Sequence, residues 1–154
     1  MEIILWGNKL KLENGEIYLY KKNKNGNYWY KIIFTLGNRG YLLCFLTNEN
    51  NIRRLFLFHR LIYLFFNFDF DIFNKKLLID HIDRNPLNNS IDNLRPATPQ
   101  QNSFNTDAKG CYFDRGKWNA AIYINRKRIY LGRYTTEEEA HAKYLEAKVI
   151  YHII

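Results

Sequence analysis

The chain has 154 residues, enough for one domain or for two or three small modules with separate cores. Hydrophobic residues make up 47% of it, aromatic residues make up 17%, and the net charge is +8. This excludes a chain too polar to build a core and favours a polyanionic partner, most simply nucleic acid, although a basic protein without such a partner could carry the same charge.

Cysteine usage and the apolar segments indicate the compartment. Only Cys44 and Cys111 are present, and neither has a C-x-x-C neighbour, which argues against a structural zinc site and against a disulfide framework. The N-terminal stretch "MEIILWGNKL" lacks the features of a secretory signal, and the apolar run at residues 55–68 is interrupted by His59 and Arg60 and is too short to span a membrane. We therefore expect an intracellular protein of the cytoplasm or nucleoid of its host cell, not secreted and not bound to a membrane.

Residues 1–58 are predicted to be rich in β-strands. Short aromatic and β-branched runs alternate with breaks that hold the Gly and Asn residues that hairpins use at positive φ. The predicted strands are "EIYLY", "NYWYKIIFTL", "GYLLCFLT" and "RRLFLF".

Residues 59–107 combine an apolar helix with a strand, a loop, a second strand and a second helix. The helix "HRLIYLFFNF" is followed by the strand "KLLIDHI", by an asparagine-rich loop at residues 83–92 and by the strand "LRPA". Thr98 is a suitable N-cap for the last helix, Pro99 fits its first position, and Gln101 completes a Thr-x-x-Gln capping box. Asn102 is therefore expected in the first turn of a well-framed helix.

Residues 108–154 are predicted to form a third module. "GCYFD", "KWNAAIYIN" and "RIYLGRY" indicate three antiparallel strands, and "TTEEEAHAKYLEAKVIYH" indicates an amphipathic helix with Thr135 or Thr136 as its N-cap. Strand alternation assigns one set of side chains to the face that meets the helix: Trp118, Ala120, Ile122, Ile124, Ile129 and Leu131. The predicted fold class of the whole chain is α+β.

The Asp-His pair at the end of "KLLIDHI" suggests hydrolytic chemistry. Cleavage of a phosphodiester needs an activated water, neutralisation of charge at the phosphate, and help for the departing 3′-oxygen. An imidazole such as His81 can activate the water, and a divalent cation held by oxygen ligands can do the rest. Neighbours on a strand point to opposite faces, so Asp80 and His81 need a bend at the strand end to serve one site. Strand, loop, strand and helix could add Asn93 and Asn102 to the same site.

The stretch "DHIDRNPLNNSIDNLRPATPQQN" resembles the core of HNH nucleases, in particular phage-type homing endonucleases, and the upstream "FHRLIYLFF" resembles the helix that precedes their motif. The resemblance implies a ββα-metal fold over about 26 residues and a divalent cation, Mg²⁺ or Mn²⁺. It implies that Asp80 and Asn102 are metal ligands, that His81 is the general base, and that Asn93 holds the histidine loop in place.

Several other polar residues of this region are interpreted as structural. Asn-rich loops often bond to their own backbone through Asx turns. We therefore expect loop-shaping roles for Asp83, Asp92, Asn88 and Asn89, a core or helix-start role for His59, and no specific role for His141 or His152.

The stretch "KGCYFDRGKWNAAIYINRKRIYLGRYTTEEEAHAKY" resembles the plant ethylene-response-factor (Apetala-type) DNA-binding domain, in which a three-stranded sheet enters the major groove and a helix backs it. The resemblance and the outward strand positions predict these DNA-binding residues: Lys109, Tyr112, Arg115, Asn119, Tyr123, Arg126, Arg128 and Tyr130. Tyr112, Asp114 and Tyr123 stand where the plant domains carry Arg, so a target sequence cannot be transferred. Trp118 is expected in the core, and a small sheet that only packs on the nuclease core remains an alternative.

We therefore expect a site-recognising DNA endonuclease with domains at residues 1–58, 59–107 and 108–154, acting on double-stranded DNA as a monomer or homodimer. A first alternative is a non-catalytic DNA-binding regulator that keeps the same folds. A second is a protein that binds or cleaves RNA, because Tyr-rich sheets can stack single-stranded bases.

Overall fold

The computed structural model describes residues 1–153 of the chain. Their contacts form two compact units, one comprising Met1–Pro96 and one beginning at Ala97. Each unit contains at least one antiparallel sheet and at least one α-helix, as the predicted α+β class requires. Within residues 1–153, no helix is both long enough and apolar enough to cross a membrane.

The first sheet of the N-terminal unit is a four-stranded antiparallel meander. Its strands follow one another in the order β1 (Glu2–Leu5), β2 (Asn8–Glu13), β3 (Glu16–Asn23) and β4 (Gly26–Lys31). The turn between β2 and β3 consists of Asn14 and Gly15 at φ values of 51° and 76°, which are those of the type I′ hairpin that Asn-Gly favours. Strands β1 and β2 were not among the predicted strands.

A second antiparallel sheet leads directly into the first helix. It consists of β5 (Thr35–Leu36), β6 (Leu42–Thr47) and β7 (Arg53–Leu57), and helix α1 (Phe58–Phe66) begins at the next residue. The helix buries His59, Leu61, Ile62, Leu64 and Phe65 in the core of this unit. The predicted apolar helix is thereby confirmed, and its buried face carries one polar residue.

Arg60 ties the chain after α1 to the helix. Its guanidinium donates to the carbonyl oxygens of Ile72, Asn74 and Leu77 at 2.8, 3.1 and 2.8 Å. Burial lowers the pKa of Arg60. These three bonds fix the irregular segment that leads into the next strand, β8 (Leu78–His81), which pairs with β9 (Leu94–Ala97).

The C-terminal unit begins with a short helix and continues with a sheet. Helix α2 (Pro99–Phe104) is followed by β10 (Cys111–Asp114), β11 (Lys117–Ile124) and β12 (Lys127–Tyr134), paired antiparallel in that order, and by helix α3 (Glu137–Tyr151). Thr98 caps α2 in the predicted capping box, and Thr136, one of the two predicted N-caps of α3, forms a second box with Glu139.

Helix α3 covers one face of this sheet. Ile122 packs with Tyr144 and Ala147 of the helix, and Ile124, Ile129 and Leu131 complete the cluster. Gly110 approaches the helix closely, since a Cβ there would lie 1.9 Å from the ring of Tyr144. A larger residue at position 110 would therefore displace the helix.

The predicted alternation of β11 holds only in part. The register with β12 shifts between Ala120 and Ala121, and both alanines are buried. Trp118 is half-buried against Phe113, with ring centroids 5.4 Å apart, and lies outside the cluster beneath α3. Its predicted place in the core under the helix is therefore wrong, and the residue left unpaired at the register shift is Leu131 of β12.

The terminal histidines have definite packing roles, contrary to the expectation that they have none. The ring of His152 stacks on Phe104 with centroids 3.9 Å apart and planes inclined by 5°. Nδ1 of His141 lies 2.7 Å from the carbonyl oxygen of Lys109. His152 therefore links α2 to the end of α3 within the C-terminal unit.

Candidate active site

Asp80 and His81 are both buried at the end of β8, with 7% and 4% of their surface exposed. Asp80 meets Arg95 of the paired strand β9. Nε and Nη2 of Arg95 donate to the same carboxylate oxygen, Oδ2, at 3.1 and 2.9 Å. This charge-assisted pair fixes the orientation of the carboxylate. Arg95 was not predicted as a site residue. Its position on the second predicted strand, next to the strand that carries Asp80, could have indicated the contact.

The imidazole of His81 lies among side chains from three parts of the N-terminal unit. Its Nε2 is 3.2 Å from Oδ1 of Asn89 in the loop. Its ring lies 5.9 Å from that of Tyr41, nearly parallel, and 4.9 Å from that of His59, at 70°. The ring of the predicted base is thus held by the rings of Tyr41 and His59 and by a polar contact with Asn89.

His59 of α1 is buried, as predicted, but it also touches His81. Burial, with nearby His81 and Arg60 adding to the effect, lowers the pKa of His59 from its ordinary 6.5 to about 3. The side chain is therefore neutral across the physiological range and packs as an aromatic ring. Nothing in the local sequence indicates the contact, because it depends on how α1 meets β8.

Asn93 joins the two ends of the histidine loop. Its Oδ1 accepts from the backbone N–H of Asp83 at 3.0 Å, and its Nδ2 donates at 2.8 Å to the Asp83 carboxylate and at 2.8 Å to the carbonyl oxygen of Asn88. The backbone N–H of Ile82 donates to the carbonyl oxygen of Asn93. Asn93 thus contacts both ends of the loop that follows His81, which is the loop that it was predicted to hold in place.

The remaining asparagines and Asp83 shape the loop, as predicted. The Asp83 carboxylate accepts from the Asn88 side chain and from the backbone N–H of Asn85, and these bonds together with the one from Asn93 lower the pKa of Asp83. Asn85 accepts in turn from the N–H of Leu87 in a second Asx turn. These bonds hold the loop in shape, and a 3₁₀ helix at Ile91–Asn93 leads from it into β9.

Asn102 belongs to the C-terminal unit. It lies half-buried in α2, where its backbone N–H donates to the carbonyl oxygen of Thr98 at 2.9 Å. Asp80 and Asn102 offer a carboxylate and an amide oxygen, which are hard donors that suit Mg²⁺ or Mn²⁺. Within residues 1–153, no group of three or more His, Cys, Asp or Glu side chains is placed to hold a metal ion. The fit of Asp80 and Asn102 to a hard cation rests on the oxygen donors of their side chains.

Four of the residues predicted to bind DNA, namely Tyr112, Tyr123, Arg128 and Tyr130, are exposed on the strands of the C-terminal sheet. Tyr112, Tyr123 and Tyr130 are exposed, and the Arg128 guanidinium donates to the Tyr112 hydroxyl and lies 4.9 Å from its ring. That hydrogen bond raises the pKa of Arg128, so the guanidinium is firmly charged. This face is not covered by the packing of α3.

Other predicted contacts in this unit are placed differently. Asn119 is buried and its amide oxygen accepts from the Tyr130 hydroxyl at 3.1 Å, so it does not stand free to read a base as expected. Lys109 is paired with Glu137 at the start of α3. Arg115 and Arg126 are exposed in the two turns of the sheet, at φ values of 48° and 63°.

Comparison with known proteins identifies the segment around the site. Residues 56–104 match the family model described as HNH endonuclease. An uncharacterised HNH endonuclease of Acanthamoeba polyphaga mimivirus is 41% identical over 69 residues, which cover 42% of this chain and 37% of the viral protein. Protein 3.8 of Escherichia phage T7 is 61% identical over 31 residues, covering 20% of this chain and 26% of that protein. The matched regions thus span well under half the length of either relative.

One solved structure that resembles this chain is titled as showing DNA binding and cleavage by the HNH homing endonuclease I-HmuI. The two chains are 25% identical in sequence, and their superposition has a TM-score of 0.48. The match covers 66% of this chain and 52% of the I-HmuI chain. The family match takes in α1, the strands β8 and β9, the loop between them and α2. Residues 56–104 are therefore similar to HNH endonucleases.

Proposed function

We propose that the chain is a metal-dependent DNA endonuclease of the homing type, in which His81 is the general base. The observation that carries the proposal is the buried Asp80–His81 pair at the end of β8, with each side chain held by its own partner, within a segment that matches HNH endonucleases. An isolated surface pair would need neither burial nor these partners. The homing type rests on the resemblance of the motif and of the C-terminal module.

His81 would accept a proton from the water that attacks the phosphorus. A general base must be held within hydrogen-bonding reach of its proton, and the rings of Tyr41 and His59 restrict the movement of the imidazole. Asn93 keeps the following loop closed, so that the backbone beyond His81 does not open. The base is therefore oriented before substrate arrives.

Asp80 is the proposed charged ligand, and Asn102 is the second ligand predicted from the sequence. A divalent cation, most simply Mg²⁺, would supply neutralisation of the phosphate charge and assistance to the leaving 3′-oxygen when bound. Arg95 holds Oδ2 of Asp80 and so sets the direction of the carboxylate, and it adds a positive charge to the site. The expected products carry 5′-phosphate and 3′-hydroxyl ends.

The exposed face of β10–β12 is the proposed DNA-binding surface. It presents tyrosines beside a charged guanidinium, and the turns add Arg115 and Arg126. Arginines at such positions can reach phosphates or guanine edges. The same tyrosines could stack unpaired bases, which is why a single-stranded RNA belongs in the test.

The test is cleavage of a random-sequence duplex library by the full chain, with metal removed by chelation and then restored. The proposal predicts cleavage only with metal, products with 5′-phosphate and 3′-hydroxyl ends, and weak competition by single-stranded RNA. Binding to duplex DNA without any metal-dependent cleavage would contradict it and would support the non-catalytic regulator. Preferential competition and cleavage of RNA would contradict the choice of substrate.

A further inference from the structure

Arg128 of β12 reaches across the middle strand of the C-terminal sheet to Tyr112 of β10. In the strand register Arg128 lies opposite Tyr123 of β11, whereas Tyr112 is paired with Asn119 further along the same strand. The Arg128 guanidinium donates to the Tyr112 hydroxyl, and its Cζ lies 4.9 Å from the centroid of the Tyr112 ring. A hydrogen bond and a cation–π contact to one residue thus hold the end of a long, exposed side chain.

This contact orients Arg128 without cancelling its charge. A phenol hydroxyl is neutral, whereas a carboxylate in the same place would neutralise the guanidinium and repel a phosphate. Lys109 of the same unit shows the contrast, because it forms an ion pair with Glu137 at the start of α3. The positive charge of Arg128 is therefore still available to a polyanion.

Recognition of guanine by arginine requires the guanidinium in one orientation. The bidentate contact with a guanine edge uses a pair of N–H groups, and a guanidinium has further N–H donors beside the one that bonds Tyr112. A mobile arginine loses side-chain entropy when such a contact forms, and an arginine that is held beforehand loses less. A phosphate accepts an arginine in many orientations, so the holding contact should favour a base contact over a phosphate contact.

We propose that Tyr112 is a positioning residue that holds Arg128 for contact with a guanine edge, so that the preference for one base pair depends on the Tyr112 hydroxyl. The inference rests on the proposed function, in which the exposed face of β10–β12 binds DNA. It gives Tyr112 a role that acts through Arg128, beyond the direct DNA contact expected from the sequence.

Tyr134 provides a matched control. It lies half-buried on β12 of the same sheet, and its hydroxyl donates to the carbonyl oxygen of Leu131 at 2.9 Å. Tyr112→Phe and Tyr134→Phe each remove one bonded hydroxyl from the sheet and keep the aromatic ring. Only the first of them removes a bond to Arg128.

The first measurement is made on the full chain without DNA. ¹⁵N relaxation of the arginine Nε–Hε groups reports how freely each side chain moves, and the Arg128 signal is assigned by its loss in Arg128→Ala. We expect an ordered Arg128 in the wild type and in Tyr134→Phe, and a more mobile one in Tyr112→Phe. A wild-type Arg128 as mobile as that of Tyr112→Phe overturns the proposal.

The second measurement is the affinity for a duplex site selected from a random library and for its single-base-pair variants, with a chelator present so that the DNA is not cut. Arg128→Ala identifies the base pair whose preference depends on Arg128. Tyr112→Phe should lower the preference at that base pair roughly tenfold, the effect of one hydrogen bond to a charged group, and Tyr134→Phe should leave it unchanged. Tyr112→Phe combined with Arg128→Ala should lose no more preference there than Arg128→Ala alone.

Three results of the binding measurement would overturn the proposal. They are a Tyr112→Phe variant that loses affinity equally for all sequences, a loss of preference that adds to that of Arg128→Ala, and an Arg128→Ala variant that changes the preference at no particular base pair. The expected binding results from a chain that cuts no DNA once metal is restored would support the role of Tyr112. That failure to cut would overturn the proposed endonuclease activity alone.

Discussion

The buried His59 should make the stability of the N-terminal unit depend on pH. Its pKa is lowered to about 3, chiefly by burial, whereas in the unfolded chain it should titrate near 6.5. Below pH 6.5 His59 binds a proton in the unfolded chain, whereas it stays neutral in the folded protein until the pH approaches 3. The stability contributed by neutral His59 is therefore complete above pH 6.5 and is lost progressively as the pH falls towards 3.

The size of the loss follows from the same two values. The interval from pH 6.5 to pH 5 is about 1.5 pH units, and each pH unit corresponds to about 1.36 kcal/mol of unfolding free energy. The free energy of unfolding at pH 5 should therefore be lower by about 2 kcal/mol. A loss of this size is a substantial part of the stability of a small domain.

The assay is urea unfolding of the wild type and of His59→Phe, at about pH 7.5 and about pH 5. Phenylalanine keeps an aromatic ring against Tyr41 and His81 but cannot bind a proton. Between these two pH values the free energy of unfolding should fall by about 2 kcal/mol more in the wild type than in the variant, because the other titrating groups are common to both proteins. Equal losses, or a His59 that titrates near 6.5 by NMR in the folded protein, would refute the reasoning.

Three further changes have definite expected outcomes. Asp80→Ala should weaken Mg²⁺ or Mn²⁺ binding more than Asn102→Ala, because a neutral amide gives up less electrostatic energy than a carboxylate, and calorimetric titration giving equal effects would count against this ordering. Asn93→Ala should lower the free energy of unfolding by about 1–3 kcal/mol, because it leaves loop groups that it bonds without partners, and urea unfolding measures this. Arg128→Ala should relax the sequence preference at one base position and cost about 1–3 kcal/mol of binding free energy, whereas Lys127→Ala should weaken binding to all sequences alike. The two cases are distinguished by measuring the affinity of each variant for a selected DNA site and for a scrambled one. Matching effects of the two variants would contradict a base-reading role for Arg128.

The parts of the site that the sequence predicted are those determined by local chemistry. The capping box of Thr98 and Gln101 requires only residues three apart, and the Asx turns at Asp83 and Asn85 require only residues two apart. The strand predicted at "LRPA" likewise coincides with β9 (Leu94–Ala97). Such signals are complete within a few residues and do not depend on the rest of the fold.

The parts that the sequence did not predict depend on tertiary contacts. His59 was correctly predicted to be buried, but its contact with His81 depends on the packing of α1 against β8. The contact of Asn89 with His81 depends on the path of the loop at residues 83–92, and every asparagine in that loop looks alike in the sequence. The bulge at Ala120 and Ala121 shifts a register that strict alternation cannot anticipate.

The most direct test of the central claim is the cleavage rate of His81→Ala at matched DNA occupancy. His141→Ala is the control, because it removes a histidine that contacts the backbone carbonyl oxygen of Lys109 in the C-terminal unit. If His81 is the base, its loss should lower metal-dependent cleavage by roughly 10²–10⁴-fold while DNA affinity and the His141→Ala rate stay near wild type. Near-normal cleavage by His81→Ala would contradict the assignment of this site as the nuclease centre.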